Sequence, residues 1–161
     1  MTLRNLSTVA IAAAFALFAF APTAAHAQFA APPLAASTVP AADLIQPADL
    51  NKLLSGPAAA RPLILQVGSK LMFDQAHIPG SEYIGAGSQP DGLNALTTRV
   101  KTLAKNKFIA LYCGCCPWGR CPNVGNAYKA LRDQGFTNVK VVYMANNFGA
   151  DWVTPGYPVA H

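Results

Sequence analysis

The stretch from Leu111 to Asn123, LYCGCCPWGRCPN, holds all four cysteines of this 161-residue chain: Cys113, Cys115, Cys116 and Cys121. Sulfurs so closely spaced serve three kinds of chemistry. A thiol placed where a strand runs into a helix faces backbone N–H groups and the positive end of the helix dipole. Those donors favour the thiolate, the nucleophilic form, and also stabilise an attached persulfide or a bound oxyanion. Cys113 and Cys116 form a C-x-x-C pair directly after an apolar run, the arrangement of dithiol redox centres. Cys116 and Cys121, separated by Pro-Trp-Gly-Arg, are spaced for a small structural disulfide ring. Lastly, Cys115, Cys116 and Cys121, with Cys113 as an alternative member, suit a soft ion such as Cu(I). One short loop rarely wraps the four-ligand shell of a structural zinc, so a closed zinc site is not expected.

Three other residues of the loop bear on this chemistry. Arg120 offers a cation for an anionic substrate, Trp118 a cap or wall for the entrance, and Gly114 a backbone N–H next to the reactive sulfur. Each has a plainer reading: Arg120 as a solvated charge, Trp118 as packing over the sheet edge. His77, in a Pro-Gly turn, and His161, at the last position, add no ligand to the cluster.

The elements that must position this loop follow from apolar patterning. PLILQV (62–67), FIALY (108–112) and NVKVVYM (138–144) are short apolar runs suited to buried strands. HIPGSEYIGA (77–86) is a Pro-Gly turn leading to a brief strand. PADLNKLL (47–54) starts with proline, tolerated in a first helical turn, and puts Leu50, Leu53 and Leu54 on one face. After Asp91, a natural cap, Leu93, Leu96, Val100 and Leu103 keep helical spacing to about Lys105. From Pro122, Val124, Ala127, Tyr128 and Leu131 recur at helical intervals until Gly135 closes the segment. Strands alternating with helices predict an α/β domain with a parallel sheet covered on both faces. Ligands of such sheets bind beyond the carboxyl ends of the strands, where Cys113 falls.

The chain ahead of this pattern reads as a targeting segment. Arg4, an apolar run from Val9 to Phe20, Pro22 and the small-x-small triplet Ala25-His26-Ala27 predict a signal peptide over 1–27, cleaved between Ala27 and Gln28. The run is shorter than the roughly 20 residues of a membrane span, so membrane contact is expected only through this transient segment. Export, with the periplasm as destination, is the expectation. Residues 28–42 are an Ala/Pro-rich leader, and residues 43–160 form one domain. The formal charge of +5 falls by one with Arg4 and is concentrated in RVKTLAKNK, at Arg99, Lys101, Lys105 and Lys107. That run reads as a solvated helix face. It lacks interleaved aromatics and a nucleic-acid-binding motif, so no nucleic-acid partner is expected.

In order along the chain, FDQAHIPGS (73–81), LYC (111–113), ALRDQGFTNVKVV (130–142) and DWVTPGYPV (151–159) resemble segments of the rhodanese-like domain family. The likeness spans residues 43–160. It implies a five-stranded parallel sheet flanked by helices, and transfer of sulfane sulfur through a cysteine persulfide to a thiophilic acceptor. Its partners would be a small sulfur-containing anion and a thiol acceptor, with no cofactor and with a periplasmic redox partner as a further candidate. By position, Cys113 resembles the persulfide-forming residue. Cys116 is the rival, because CPWGRC (116–121) has the family's usual six-residue loop length and leads directly to Pro122. Making Cys116 reactive would extend the strand through Gly114, which a buried strand tolerates poorly. Cys116 is therefore read as a resolving thiol able to form a disulfide with Cys113, and Cys115 and Cys121 as structural or resolving thiols. Two departures from the family stand out. Gln66-Val67-Gly68 replaces an acidic residue, Val and Arg, which removes an ion pair. The cysteine loop is also longer, resembling an exported subgroup with CCPW…CPN loops. Cysteine phosphatases of this fold need Cys and Arg bracketing five residues, and the position so related to Arg120 is Gly114, which excludes that activity.

Overall fold

The computed structural model describes residues 38–161; the expected signal peptide and most of the Ala/Pro-rich leader lie outside the described residues. The elements in chain order are β1 (Leu44–Ile45), α1 (Pro47–Leu54), β2 (Leu63–Gln66), α2 (Lys70–Gln75), β3 (Glu82–Tyr83), α3 (Pro90–Val100), β4 (Ile109–Tyr112), α4 (Pro122–Asp133) and β5 (Val139–Val142), followed by a wide helical turn at Gly149–Val153. All five strands are parallel, in the spatial order β1-β5-β4-β2-β3.

The continuous apolar runs are explained by a sheet buried on both sides. Successive β4 side chains point to opposite faces. Ile109 and Leu111 enter one core with α3 and α4, while Ala110 and Tyr112 enter the other with α1 and the turn at 149–153. β2 does the same, with Leu65 on the first side and Ile64 on the second. The aromatic residues of the second core, Tyr112, Phe148 and Trp152, are all buried. Val124, Ala127, Tyr128 and Leu131 bury one face of α4 against the first core, and full burial of a Leu or Val is worth about 1.5–3 kcal/mol. Gly135, at φ +86°, ends that segment, its N–H donating to the Arg132 carbonyl.

The departures from the sequence reading lie at ends and in short pieces. α3 is capped at Gln89 with Pro90 in its first turn, so Asp91 sits inside the helix near the positive dipole end. It stops at Val100 rather than Lys105, yet Leu103 still packs on the core from the following turn. β5 ends at Val142, and the strand within 77–86 is only Glu82–Tyr83. β1 and α2, two and six residues long, are too short for periodicity to reveal.

The basic run serves the surface in several ways. Arg99 forms a two-pronged ion pair with Glu82, Nε–Oε2 2.6 Å and Nη2–Oε1 2.8 Å. The Lys105 ammonium lies 4.2 Å from the Phe136 ring centroid. Lys101 and Lys107 are exposed.

Connections from β2 and β4 leave in opposite directions, β2 toward β3 at one edge and β4 toward β5 on the other side. The crevice between their carboxyl ends is the switch point where such sheets bind ligands. Gly68 and Cys113 face each other across it.

At the far edge, the first described turn is tied to the sheet by Asp43. Its carboxylate accepts hydrogen bonds from Tyr128 Oη (2.5 Å) and Lys140 Nζ (3.2 Å). The Tyr128 hydroxyl, then Lys140, holds the Asp43 pKa below its ordinary value against the opposing effect of burial. A depressed folded pKa means the stabilisation is complete above the unfolded value of about 3.9 and fades as pH falls below it. Urea unfolding midpoints should therefore drop between pH 6 and pH 3 by more in the wild type than in Asp43→Asn. Equal drops would show that this contact contributes nothing.

Candidate active site

β4 ends at Tyr112, and the chain leaves the sheet at once. Gly114 has φ +78°, a conformation costly for any residue with a Cβ. A Cβ there would also lie 2.8 Å from Phe148 Cβ. The strand does not run on through Gly114 toward Cys116. The loop then folds back over the sheet edge and is pinned there: Phe148 N–H donates to Gly114 O (3.0 Å), and Trp118 N–H to Ala145 O (3.2 Å). A tight turn at 117–120 closes with Arg120 N–H donating to Pro117 O, Gly119 supplying a positive φ at its third position.

This path brings the sulfurs together. Sγ of Cys113 lies 2.9 Å from Sγ of Cys115, which lies 3.1 Å from Sγ of Cys116. Cys121 comes from the opposite side as the capping residue of α4, and the sulfurs of Cys113, Cys115 and Cys121 all lie within 4.8 Å of one another. No disulfide is formed, so the Cys116–Cys121 ring considered from spacing is absent and all four thiols are free. The trio with mutually close sulfurs contains Cys113 in place of Cys116, because the turn at 117–120 carries Cys121 back toward the strand end.

The environment divides these thiols by charge. Cys121 is pulled down to about 6, first by the Cys113 thiol beside it and then, against burial, by the N–H groups of Val124 and Asn123. Those N–H groups act through the field of the helix end, without closing a formal capping bond. Cys113 moves the opposite way: the Cys121 sulfur and burial both push its thiol up. Cys116 is pushed up to about 12, mainly by Cys115. The resting cluster thus keeps its proton on Cys113 and its charge on Cys121.

Sequence reasoning missed three residues around Cys113. Asn123, buried in the first turn of α4, donates from Nδ2 to Cys113 Sγ (3.3 Å) and reaches Cys115 Sγ at 3.9 Å. Its amide is held in that orientation because Oδ1 accepts from Ser88 N–H (2.9 Å). Buried Gln66 donates from Nε2 to the Cys113 carbonyl (3.1 Å), and its Oε1 accepts from Gly68 N–H (3.1 Å). Gly68 leaves room for the sulfur, since a Cβ there would lie 2.7 Å from Cys113 Sγ. A neutral amide at Gln66 and a missing side chain at Gly68 thus shape the wall behind Cys113. The signal for Asn123 was its place just inside a helix start, two residues after a cysteine.

The remaining loop residues separate. Trp118 is half-buried, its ring centroid 5.3 Å from that of Tyr143, and it also lines a small cavity of about 10 Å³ with Cys113, Gly114, Cys116 and Cys121. Arg120 is exposed, and its guanidinium has no hydrogen bond or ion pair among the described residues. His77 packs flat on Phe73 with ring centroids 4.0 Å apart, and its Nδ1 lies 2.9 Å from the Phe73 carbonyl. His161 Nδ1 meets the Gln75 carbonyl at 2.6 Å. Both imidazoles are structural.

A model of the rhodanese-like domain matches residues 46–145, which include the whole cysteine loop. The chain belongs to the rhodanese-like domain family. Two solved structures share its fold. One is the rhodanese-like domain of the Alr3790 protein from Anabaena sp., 22% identical with a TM-score of 0.54, covering 73% of this chain and 78% of that one. The other is the Alr3790 protein itself, 20% identical with a TM-score of 0.54, covering 72% of this chain and 81% of that one. At these identities the likeness is one of fold. No curated protein matches. The expected five-stranded parallel sheet with helices on both faces is the observed one.

Two outcomes test this description of the site. Gly68→Ala forces a methyl against Cys113 Sγ, Gln66 Nε2 and the Cys113 carbonyl, and overpacking of this kind costs about 1–3 kcal/mol. An unchanged denaturation midpoint would show that the wall yields freely. Iodoacetamide at pH 7, followed by peptide mass spectrometry, should label Cys121 faster than Cys113. The reverse order would refute the division of charge described above.

Proposed function

We propose that this protein is an exported rhodanese-like sulfurtransferase that moves sulfane sulfur through a persulfide on Cys113 to a thiophilic acceptor, working in the periplasm once residues 1–27 are removed. The observation that carries the reading is the setting of the Cys113 sulfur. It stands at the carboxyl end of β4, opposite the start of α4, with an amide N–H of Asn123 on it and a water-sized cavity beside it. A cavity of about 10 Å³ has room for one atom the size of a water, hence for one added sulfur but not for a bulky substrate. The donor anion therefore meets the cluster from the loop side, where Arg120 is free to hold its charged end and Gly114 and Trp118 line the approach.

The chemistry follows from the charges. Cys113 passes its proton to the Cys121 thiolate and its sulfur attacks the outer sulfur of a donor such as thiosulfate. The S–S bond of the donor breaks, sulfite leaves with the bonding pair, and Cys113 carries a persulfide. Asn123 and the helix end stabilise its negative charge. A thiol acceptor, ionised on attack, takes the outer sulfur, and the Cys113 thiolate recovers its proton from Cys121. Cys121 is thus the general base and Asn123 a positioning and stabilising group.

A thiol–disulfide reading has one observation in its favour, the 2.9 Å contact between the sulfurs of Cys113 and Cys115. It shifts the candidate resolving thiol from Cys116 to Cys115. Attack of Cys115 on the inner sulfur of a Cys113 persulfide would form the Cys113–Cys115 disulfide and release hydrosulfide.

Assay with thiosulfate and cyanide decides between the readings. Cys113→Ser should abolish turnover, and Cys121→Ser should lower kcat by about 10²–10⁴, the usual worth of a general base. Cys116→Ser should keep turnover near wild type. Native mass spectrometry after thiosulfate should add one sulfur atom to the wild type and none to Cys113→Ser. Full activity in Cys113→Ser, or no added sulfur in the wild type, would overturn the proposal.

A further inference from the structure

Sulfur transfer as proposed uses Cys113 and Cys121, yet a third sulfur is gathered with them. The three sulfurs converge from two separate elements, Cys113 and Cys115 from the end of β4 and Cys121 from the start of α4, all within 4.8 Å of one another. A persulfide on Cys113 with Cys121 as its base takes two cysteines, and so does a disulfide; neither takes three. We propose that Cys113, Cys115 and Cys121 form a three-sulfur binding site for one Cu(I) ion per chain.

The geometry is near what such an ion requires. Three sulfurs at a metal–sulfur distance of about 2.3 Å in a plane lie about 4 Å apart. The span here runs from 2.9 Å between Cys113 and Cys115 to no more than 4.8 Å, so side-chain shifts of an ångström or less produce the triangle. The donor set selects the ion. Thiolates alone favour soft metals, and the absence of oxygen or imidazole ligands among the described residues near the trio disfavours hard ones. Both described histidines have Nδ1 against a backbone carbonyl elsewhere. Zinc asks for a fourth ligand in a tetrahedron, whereas Cu(I) is content with three sulfurs in a plane. The wall adds soft character, because the Met144 thioether, itself buried, lines the same small cavity as Cys113 and Cys121.

A second observation points to the same place. Ligating groups are oriented by outer hydrogen bonds, and Asn123 Nδ2 already donates to Cys113 Sγ and leans toward Cys115 Sγ. Asn123 is locked by Ser88, and Gly68 leaves the back of Cys113 open to the sulfur alone. These two constraints from distant parts of the chain therefore fix sulfur positions before any ion arrives. Binding displaces the thiol protons and adds a bond from each sulfur to the metal, with no change of oxidation state. The site shares Cys113 and Cys121 with the proposed sulfur transfer but does not rest on that reading, and a chain holding Cu(I) there has neither sulfur free for transfer.

The test uses the reduced protein under anaerobic conditions, loaded with Cu(I) and titrated with bathocuproine disulfonate as competing chelator. The wild type should retain one Cu(I) per chain, and X-ray absorption should show sulfur neighbours only, three in number. Cys115→Ser and Cys121→Ser should each lose affinity by more than roughly tenfold, a loss that even outer-shell changes at metal sites produce. Cys113→Ser should do the same, and the two loop variants keep the comparison open if it does not fold by circular dichroism. Cys116→Ser should retain copper as the wild type does. Retention unchanged in all three ligand variants, or loss in Cys116→Ser equal to theirs, would overturn the inference. Wild-type sulfur transfer without copper retention would sink this inference alone; copper retention without sulfur transfer would sink only the enzymatic reading.

Discussion

Buried Gln66 joins the ends of β2 and β4 beyond the point where their ladder stops. Its amide nitrogen donates to the Cys113 carbonyl and its amide oxygen accepts from Gly68 N–H. No buried side-chain nitrogen or oxygen among the described residues lacks a partner, so this amide is fully used. A buried amide so placed is costly to strip of its partners, at about 1–3 kcal/mol for an unsatisfied group. It therefore holds Gly68 against Cys113 and fixes where the Cys113 sulfur stands. The loop, the cavity and the sulfur cluster are all built outward from that position.

From there, two elements of different kinds enclose the sulfur. Behind it is the rigid sheet, whose β4 residues are buried on both faces. In front is the loop, which stays in place because Gly114 and Trp118 are hydrogen-bonded to the segment after β5. Phe148 does two jobs in this arrangement. Its ring belongs to the aromatic core with Tyr112 and Trp152, and its backbone N–H holds Gly114. Packing on the far side of the sheet is thus coupled to the path of the cysteine loop. The same aromatic core reaches the turn ahead of β3 through Tyr112, whose hydroxyl accepts from Ile78 N–H and meets Ser81 Oγ.

The charge pattern of the cluster follows from placement more than from residue type. The chemically identical thiols of Cys113, Cys116 and Cys121 are shifted differently because one is enclosed at a strand end, one faces a fellow sulfur and one caps a helix. Cys121 and Cys113 shift in opposite directions first through each other, and then through the start of α4 for Cys121 and burial for Cys113. A sulfur relay, a disulfide pair and a soft-metal triangle all draw on this asymmetry, which explains why residue spacing alone could not choose among them.

Much of the architecture was legible because apolar patterning reports burial. Ile109 to Tyr112 read as a two-sided buried strand, and α4 showed its buried face at Val124, Ala127, Tyr128 and Leu131. β1 and α2 stayed hidden, since two to six residues carry too little periodicity and their formation depends on neighbours. The cysteine loop was legible as a site because all its sulfurs are local in sequence, and its place at a strand's carboxyl end followed from the α/β pattern. The roles of Gly68, Gln66 and Asn123 were not legible. Gln66 lies 47 residues before Cys113, and Asn123 lies 35 residues after Ser88, the partner that orients it. Sequence by itself determined which residue types are available and which segments must be buried, because hydrophobic periodicity is a local property. Only the tertiary structure decided which sulfurs meet, because that depends on a left-handed glycine, a turn at 117–120 and hydrogen bonds between segments far apart in the chain.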